Sequence, residues 1–135
     1  MITVDSSVWI DYLKGSQTSQ TKQLDAMLGD SSLDFVMLDV VLMEVLRGIR
    51  SDHEYKNTQV ALTALPIHQA GGKEIATHAA QIYRKLRHDG QTVRSSIDLL
   101  VASWCLHSDA DLLHNDRDFA VIANAFPLAS PVNVF

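Results

Sequence analysis

The sequence predicts an α/β fold, with short apolar strands alternating with amphipathic helices around a parallel sheet. Three observations predict it. The opening run Ile2-Thr3-Val4 reads as a strand that ends at Asp5. The stretch from about 70 to 88 carries Ile75, Ala79, Ile82, Tyr83 and Leu86 at helical spacing. Short apolar runs recur at Phe35-Val36-Met37-Leu38 and at Asp111-Leu112-Leu113, each followed by a helix signal.

The elements follow in order. After the first strand, Ser6 or Ser7 caps a short helix through Trp9, Ile10 and Leu13. The polar run from Gly15 to Gln20 is a loop rather than a domain linker. A helix over about 20–29 carries Leu24, Met27 and Leu28 on one side, with Gly29 as its stop. Phe35 to Leu38 is a short buried strand, and Asp39 is placed to cap a helix over 40–48 that stops near Gly48. Another helix spans about 52–64, and Leu65-Pro66-Ile67 is a brief strand. Gly71-Gly72 turns the chain into the long helix, which Asp89-Gly90 ends. Ser95 opens a helix to about His107; Asp111 to Leu113 is a strand, followed by a short helix at 117–124. The tail from Phe126 to Phe135 is expected to add one or two short strands.

At 135 residues the chain is expected to be one domain over 1–135, and a hydrophobic fraction of 47% supports a core and argues against global disorder. No stretch approaches the ~20 apolar residues that span a membrane. The start, Met-Ile-Thr-Val-Asp, lacks the basic region of a signal peptide. A lone Cys105 permits no internal disulfide and reads as a buried reduced thiol. Together these predict a cytoplasmic protein. The net charge of −5 argues against a nucleic-acid binder. A cluster of metal-binding acids weakens that argument, because it concentrates negative charge that a bound cation reverses. Basic residues cluster in Arg47-Gly48-Ile49-Arg50 and Arg84-Lys85-Leu86-Arg87-His88, runs that also fit solvated helix faces. The six histidines form no His-x-x-x-His pair, and no Gly-rich phosphate loop is present, so neither zinc nor a P-loop is expected.

Four acids sit where folding alone gives a weak reason for them: Asp5, Glu44, Asp98 and Asp116. An acid beside a core element costs free energy unless it is paired, protonated or bound to a cation. In open parallel sheets, sites form outside the carboxyl ends of the strands. Asp5 and Asp116 lie just past such ends, and Glu44 and Asp98 arrive from helices that begin near the same edge. Each has a purely structural explanation too. Asp5 and Asp116 can cap helices, Asp98 fits a capping box with Ser95, and Glu44 can pair with Arg47 or Arg50. One shared site accounts for all four together. Carboxylate oxygens suit hard cations such as Mg²⁺ or Mn²⁺, and such a site points to chemistry on phosphates.

These residues resemble the PIN domain of the VapC toxin type. The resemblance rests on Val4-Asp5-Ser6-Ser7-Val8-Trp9-Ile10-Asp11-Tyr12, on Glu44-Val45-Leu46-Arg47-Gly48, on Asp98-Leu99-Leu100-Val101-Ala102, and on Leu112-Leu113-His114-Asn115-Asp116-Arg117-Asp118-Phe119. The four motifs stand in the family's order and span nearly the whole chain. The resemblance implies a three-layer α/β/α fold with a central parallel sheet of four to five short strands. It implies an Mg²⁺- or Mn²⁺-dependent endoribonuclease that hydrolyses RNA phosphodiester bonds, the toxin of a type II toxin–antitoxin pair. Its partners would be RNA, a cognate antitoxin seated in an apolar groove, and a second copy of itself. Carried across, Asp5, Glu44, Asp98 and Asp116 become the metal site, with Asp5 and Asp116 as direct ligands. Ser6, Asn115, Asp118 and Arg94 follow as supporting residues: Ser6 holds a ligand or water, Asn115 replaces the family's usual Thr or Ser, Asp118 matches a frequent second acid, and Arg94 can touch phosphate.

Rival readings of the acids also stand. A phospho-receiver-like switch wants an acid pair near the first strand and a late Lys, yet Asp5 lacks an acidic neighbour and no Lys follows Lys85. A phosphatase with a nucleophilic Asp wants an acid two residues on, where Ser7 stands. A non-catalytic acidic pocket is separated from these only by metal-dependent turnover.

Overall fold

A computed structural model describes residues 1–131 of the chain. Four short strands are present among them: β1 (Ile2–Val4), β2 (Met37–Leu38), β3 (Ile67–His68) and β4 (Asp111–Leu113). Seven helices connect them: α1 (Ser6–Leu13), α2 (Ser19–Leu28), α3 (Asp39–Arg47), α4 (Asp52–Thr63), α5 (Lys73–His88), α6 (Ser96–Ser108) and α7 (Arg117–Ala125). β1 pairs with β4 and β2 with β3, all parallel, and a bridge between Ile2 and Phe35 joins the two pairs. The order across the sheet is therefore β3-β2-β1-β4.

That order decides where a site can form. The chain steps one way from β1 through β2 to β3, then crosses back past β1 to β4. Right-handed crossovers put α1–α4 on one face and α5–α6 on the other. The packing agrees: α1 touches α2 and α3, while α5 and α6 make the most extensive helix contact in the molecule. The direction reverses between β1 and β4, so a crevice opens beyond their carboxyl ends.

Apolar side chains from both faces and the sheet fill one core, including Val4, Leu24, Leu38, Val41, Ile82, Val101, Leu112, Phe119 and Ile122. Thr3 lies within it with no exposure, and its hydroxyl donates to the Val36 carbonyl at 2.9 Å. A buried hydroxyl needs such a partner. Among the described residues, no helix is long and apolar enough to cross a membrane.

Several local expectations are corrected. Asp5, not a serine, caps α1: its carboxylate accepts from the Ser7 N–H. Asp39 is the first residue of α3 rather than its cap; Leu38 stands at the cap with no side-chain bond. The Asp39 carboxylate instead accepts from Val40 N–H at 2.8 Å and from Ala70 N–H at 3.0 Å, tying the loop after β3 to α3. α2 starts earlier than predicted because Thr18 and Thr21 form a reciprocal capping box. The brief strand near Pro66 is shifted to Ile67–His68, both exposed at the sheet edge. Gly72, at φ 91°, is the turn into α5, a conformation in which a Cβ would be strained. Where the tail is expected to add strands, one main-chain bond ties it to β4, from Leu112 N–H to the Ala129 carbonyl at 2.9 Å. No strand is formed over 126–131, and 132–135 lie outside the described residues.

Phe119 sets α7 against the core with no exposed surface. Phe119→Ala is expected to lower unfolding free energy by about 3–5 kcal/mol in urea titrations. A loss below about 1 kcal/mol would show that α7 is not anchored there.

Candidate active site beyond the ends of β1 and β4

The main chain brings Asp5 to the crevice. Its N–H donates to the Leu113 carbonyl at 2.9 Å, closing the β1–β4 ladder, and the chain then turns into α1. Asp5 is only 2% exposed. Its Oδ2 accepts from Ser7 N–H at 3.1 Å and from Ser7 Oγ at 2.7 Å. Its Oδ1 is buried and has no hydrogen-bond partner. Burial pushes the Asp5 carboxyl above its ordinary pKa; the Ser7 bonds pull the other way, and the Glu44 charge adds to the rise.

Glu44 reaches the same place from α3. Ser6 Oγ donates to its Oε1 at 2.9 Å, and the exposed Arg47 guanidinium stands 3.9 Å from its Oε2. The expected pairing with Arg47 is thus present but long, and Ser6 is the closer partner. Asp98 is in the first turn of α6, where its N–H donates to Ser95 Oγ at 3.3 Å. Asp98 is 7% exposed. Desolvation first, then the charges of Asp5, Asp116, Glu44 and Asp118, raise its pKa to about 7.

Asp116 caps α7, and its Oδ1 accepts from Asp118 N–H at 2.8 Å. The Asp118 side chain lies at the same crevice, where its Oδ2 accepts from the Arg94 main-chain N–H at 3.3 Å. Carboxylate oxygens of Asp98, Asp116 and Asp118 all lie within 4.8 Å of one another. The tightest acidic group is therefore not the four residues singled out in the sequence. Asp118, rated there as supporting, belongs to it; Asp5 and Glu44 stand further out yet close enough to raise Asp98.

Sequence reasoning missed Ser7. Its hydroxyl donates to Asp5 and accepts from Asn115 N–H at 3.4 Å, linking the turns after β1 and β4. Asn115 contributes there through its main chain. The signal was present, since a residue two past a helix cap is where the cap's oxygen reaches. His114 was also missed. It packs on Phe119 with ring centroids 5.1 Å apart, accepts from Asp116 N–H at 3.4 Å, and burial holds its pKa below the ordinary value.

Oxygen-only donors, one of them buried and unpartnered, fit a hard divalent cation. Asp98, Asp116 and Asp118 can hold it, with Asp5 Oδ1 facing an unmet need for positive charge.

The PIN-domain family model matches residues 2–125. The chain belongs to the PIN-domain family. This PIN domain is 30% identical over 123 residues to Ribonuclease VapC11 of Mycobacterium tuberculosis, covering 91% of this chain and 92% of that protein. Solved structures share its fold at lower identity. The VapBC-1 structure from nontypeable Haemophilus influenzae aligns with a TM-score of 0.74 at 19% identity, over 97% of each chain. Mycobacterium tuberculosis VapC20, described as a Sarcin-Ricin loop cleaving toxin, aligns with a TM-score of 0.68 at 18% identity, over 97% of this chain and 100% of that one.

The raised pKa of Asp98 gives this PIN domain a pH-dependent stability when no cation is bound. The folded state holds a proton that the unfolded carboxyl, near 3.8, releases. Stability is therefore full below about pH 4 and is lost as pH rises through about 7. In EDTA, the melting temperature is expected to be lower at pH 8 than at pH 5.5, after correction for the protein's other groups with Asp98→Asn as reference. Mn²⁺ should raise it most at pH 8. An identical pH profile for Asp98→Asn would remove Asp98 as the cause.

Proposed function

We propose that this chain is an endoribonuclease dependent on a divalent cation, Mg²⁺ or Mn²⁺, and that it is the toxin of a type II toxin–antitoxin pair. The observation that carries this reading is the meeting of Asp98, Asp116 and Asp118 within 4.8 Å, beside the unpartnered oxygen of Asp5, in a chain of the VapC kind. The ribonuclease name of VapC11, the description of VapC20 as a Sarcin-Ricin loop cleaving toxin, and the fold shared with a toxin–antitoxin complex from Klebsiella pneumoniae support extending RNA and an antitoxin to this protein. The reading includes a cytoplasmic protein made of one domain, which pairs with a second copy of itself.

The residues then divide the work. When bound, the cation supplies positive charge against the negative charge that builds on the phosphate oxygens during hydrolysis. Asp98, Asp116 and Asp118 hold it. Asp5 adds its free Oδ1, and Ser7 fixes the carboxylate's rotation through Oδ2. Glu44, steadied at Oε1 by Ser6, keeps Oε2, 3.9 Å from Arg47, to accept a proton from an attacking water. Arg94, exposed next to Asp118, can meet the phosphate.

Purified protein should cut total cellular RNA into discrete fragments with Mg²⁺ or Mn²⁺ and not with EDTA. Asp5→Asn and Asp116→Asn should each reduce the rate at least about a hundredfold while the circular dichroism spectrum is kept. Asparagine still caps a helix, so the fold is preserved. Cleavage that persists in EDTA, or at an unchanged rate in Asp5→Asn, would refute the assignment.

A further inference from the structure

A groove of about 840 Å³ runs between α5 and the start of α6. Its floor is apolar: Ala79, Val93 and Leu99 are all buried there. Tyr83, 38% exposed, and the exposed Arg84 stand on one side, and Arg94 stands at one end. Among the described residues no acid lines it, although the chain as a whole carries a net charge of −5. Among the described residues, the ion pairs are Arg47 with Glu44 and Lys85 with Asp89, so neither Arg84 nor Arg94 is neutralised by a carboxylate. At Arg94 the groove joins the acidic crevice, because the Arg94 main-chain N–H donates to Asp118 Oδ2.

We propose that this groove seats the RNA strand beside the scissile phosphate, with Arg84 and Arg94 on successive phosphates and a base on the Tyr83 ring. The inference rests on the ribonuclease reading and adds where the substrate lies. Free guanidinium groups over an acid-free lining call for an anionic ligand. An exposed aromatic ring above an apolar floor suits an unpaired base, since the stacking faces of a duplex are already covered. The occupant is therefore single-stranded. The arrangement also resolves the problem posed by the negative net charge. A polyanion is repelled by the carboxylates unless a neighbouring basic track holds it, and the groove is that track. Arg84 and Tyr83 act as positioning residues; they hold substrate and take no part in bond cleavage.

The test uses a fluorescently labelled single-stranded RNA 12-mer of mixed sequence, titrated with the Asp116→Asn variant in Mg²⁺ and followed by anisotropy. In that background, Arg84→Gln and Arg94→Gln should each reduce the steepness of log K against log salt by about 0.7. Tyr83→Ala should weaken binding about five- to 150-fold, and Tyr83→Phe should restore it. In the otherwise native enzyme, Arg84→Gln should raise KM for RNA cleavage several-fold with kcat nearly unchanged. Sedimentation should show the same oligomeric state for Arg84→Gln and Tyr83→Ala as for the native chain. Unchanged salt dependence in both arginine variants overturns the proposal. So does dissociation of an oligomer on substituting Tyr83 or Arg84, which would assign the groove to a second copy of the chain. The two readings separate cleanly. Native cleavage with unaltered binding by the variants removes the groove and leaves the nuclease. Loss of binding in the variants, with no cleavage by the native chain, removes the nuclease and leaves the groove.

Discussion

Like charges held together in a poorly hydrated place repel one another, and the rest of this molecule is arranged around that repulsion. Five carboxyl groups share the crevice beyond β1 and β4, and Asp98 bears the result most directly, with its pKa raised to about 7. The others are each held by a local donor. Ser7 serves Asp5, Ser6 serves Glu44, the Asp118 N–H serves Asp116 and the Arg94 N–H serves Asp118. Four of the five acids, Asp5, Asp98, Asp116 and Asp118, stand in the first turn of a helix or at its cap, where the helix dipole favours negative charge. The structural and functional explanations of the acids thus coexist: capping is how the fold tolerates a group of charges able to hold a cation.

The sheet makes that tolerance possible. Only three residues of β1 and three of β4 pair, but the pairing lies at the reversal of strand order and is flanked by side chains with almost no exposure. The Asp5 N–H extends the ladder by one bond before the chain turns. The acidic positions are therefore fixed by main-chain geometry, with little left to side-chain freedom, which is the condition for a preorganised site.

Much of this was legible in the sequence because it depends on spacing along one element. The runs around Val4, Leu38 and Leu112 announced strands, and Ile75 to Leu86 announced α5. The acids at the strand ends stood out because apolar neighbours made them costly. What stayed hidden depends on distances across elements. Asp118 looked secondary because sequence does not reveal that its carboxylate lies within 4.8 Å of those of Asp98 and Asp116. Asp39 looked like a cap because nothing local announces that Ala70 N–H competes for its carboxylate. The basic run from Arg84 to His88 looked like an ordinary helix face until Arg94, ten residues on, was found lining the same groove as Arg84.

The pairing of β1 with β4 joins residues from opposite ends of the chain. Asp5 is made early and Asp118 late, and at roughly 5–20 residues per second the interval is on the order of ten seconds. Throughout that time the ribosome carries a segment with the first acid but without the last two. No growing chain that stops short of Asp118 carries the whole acidic group. The time at which the acidic group is complete is thus set by translation itself.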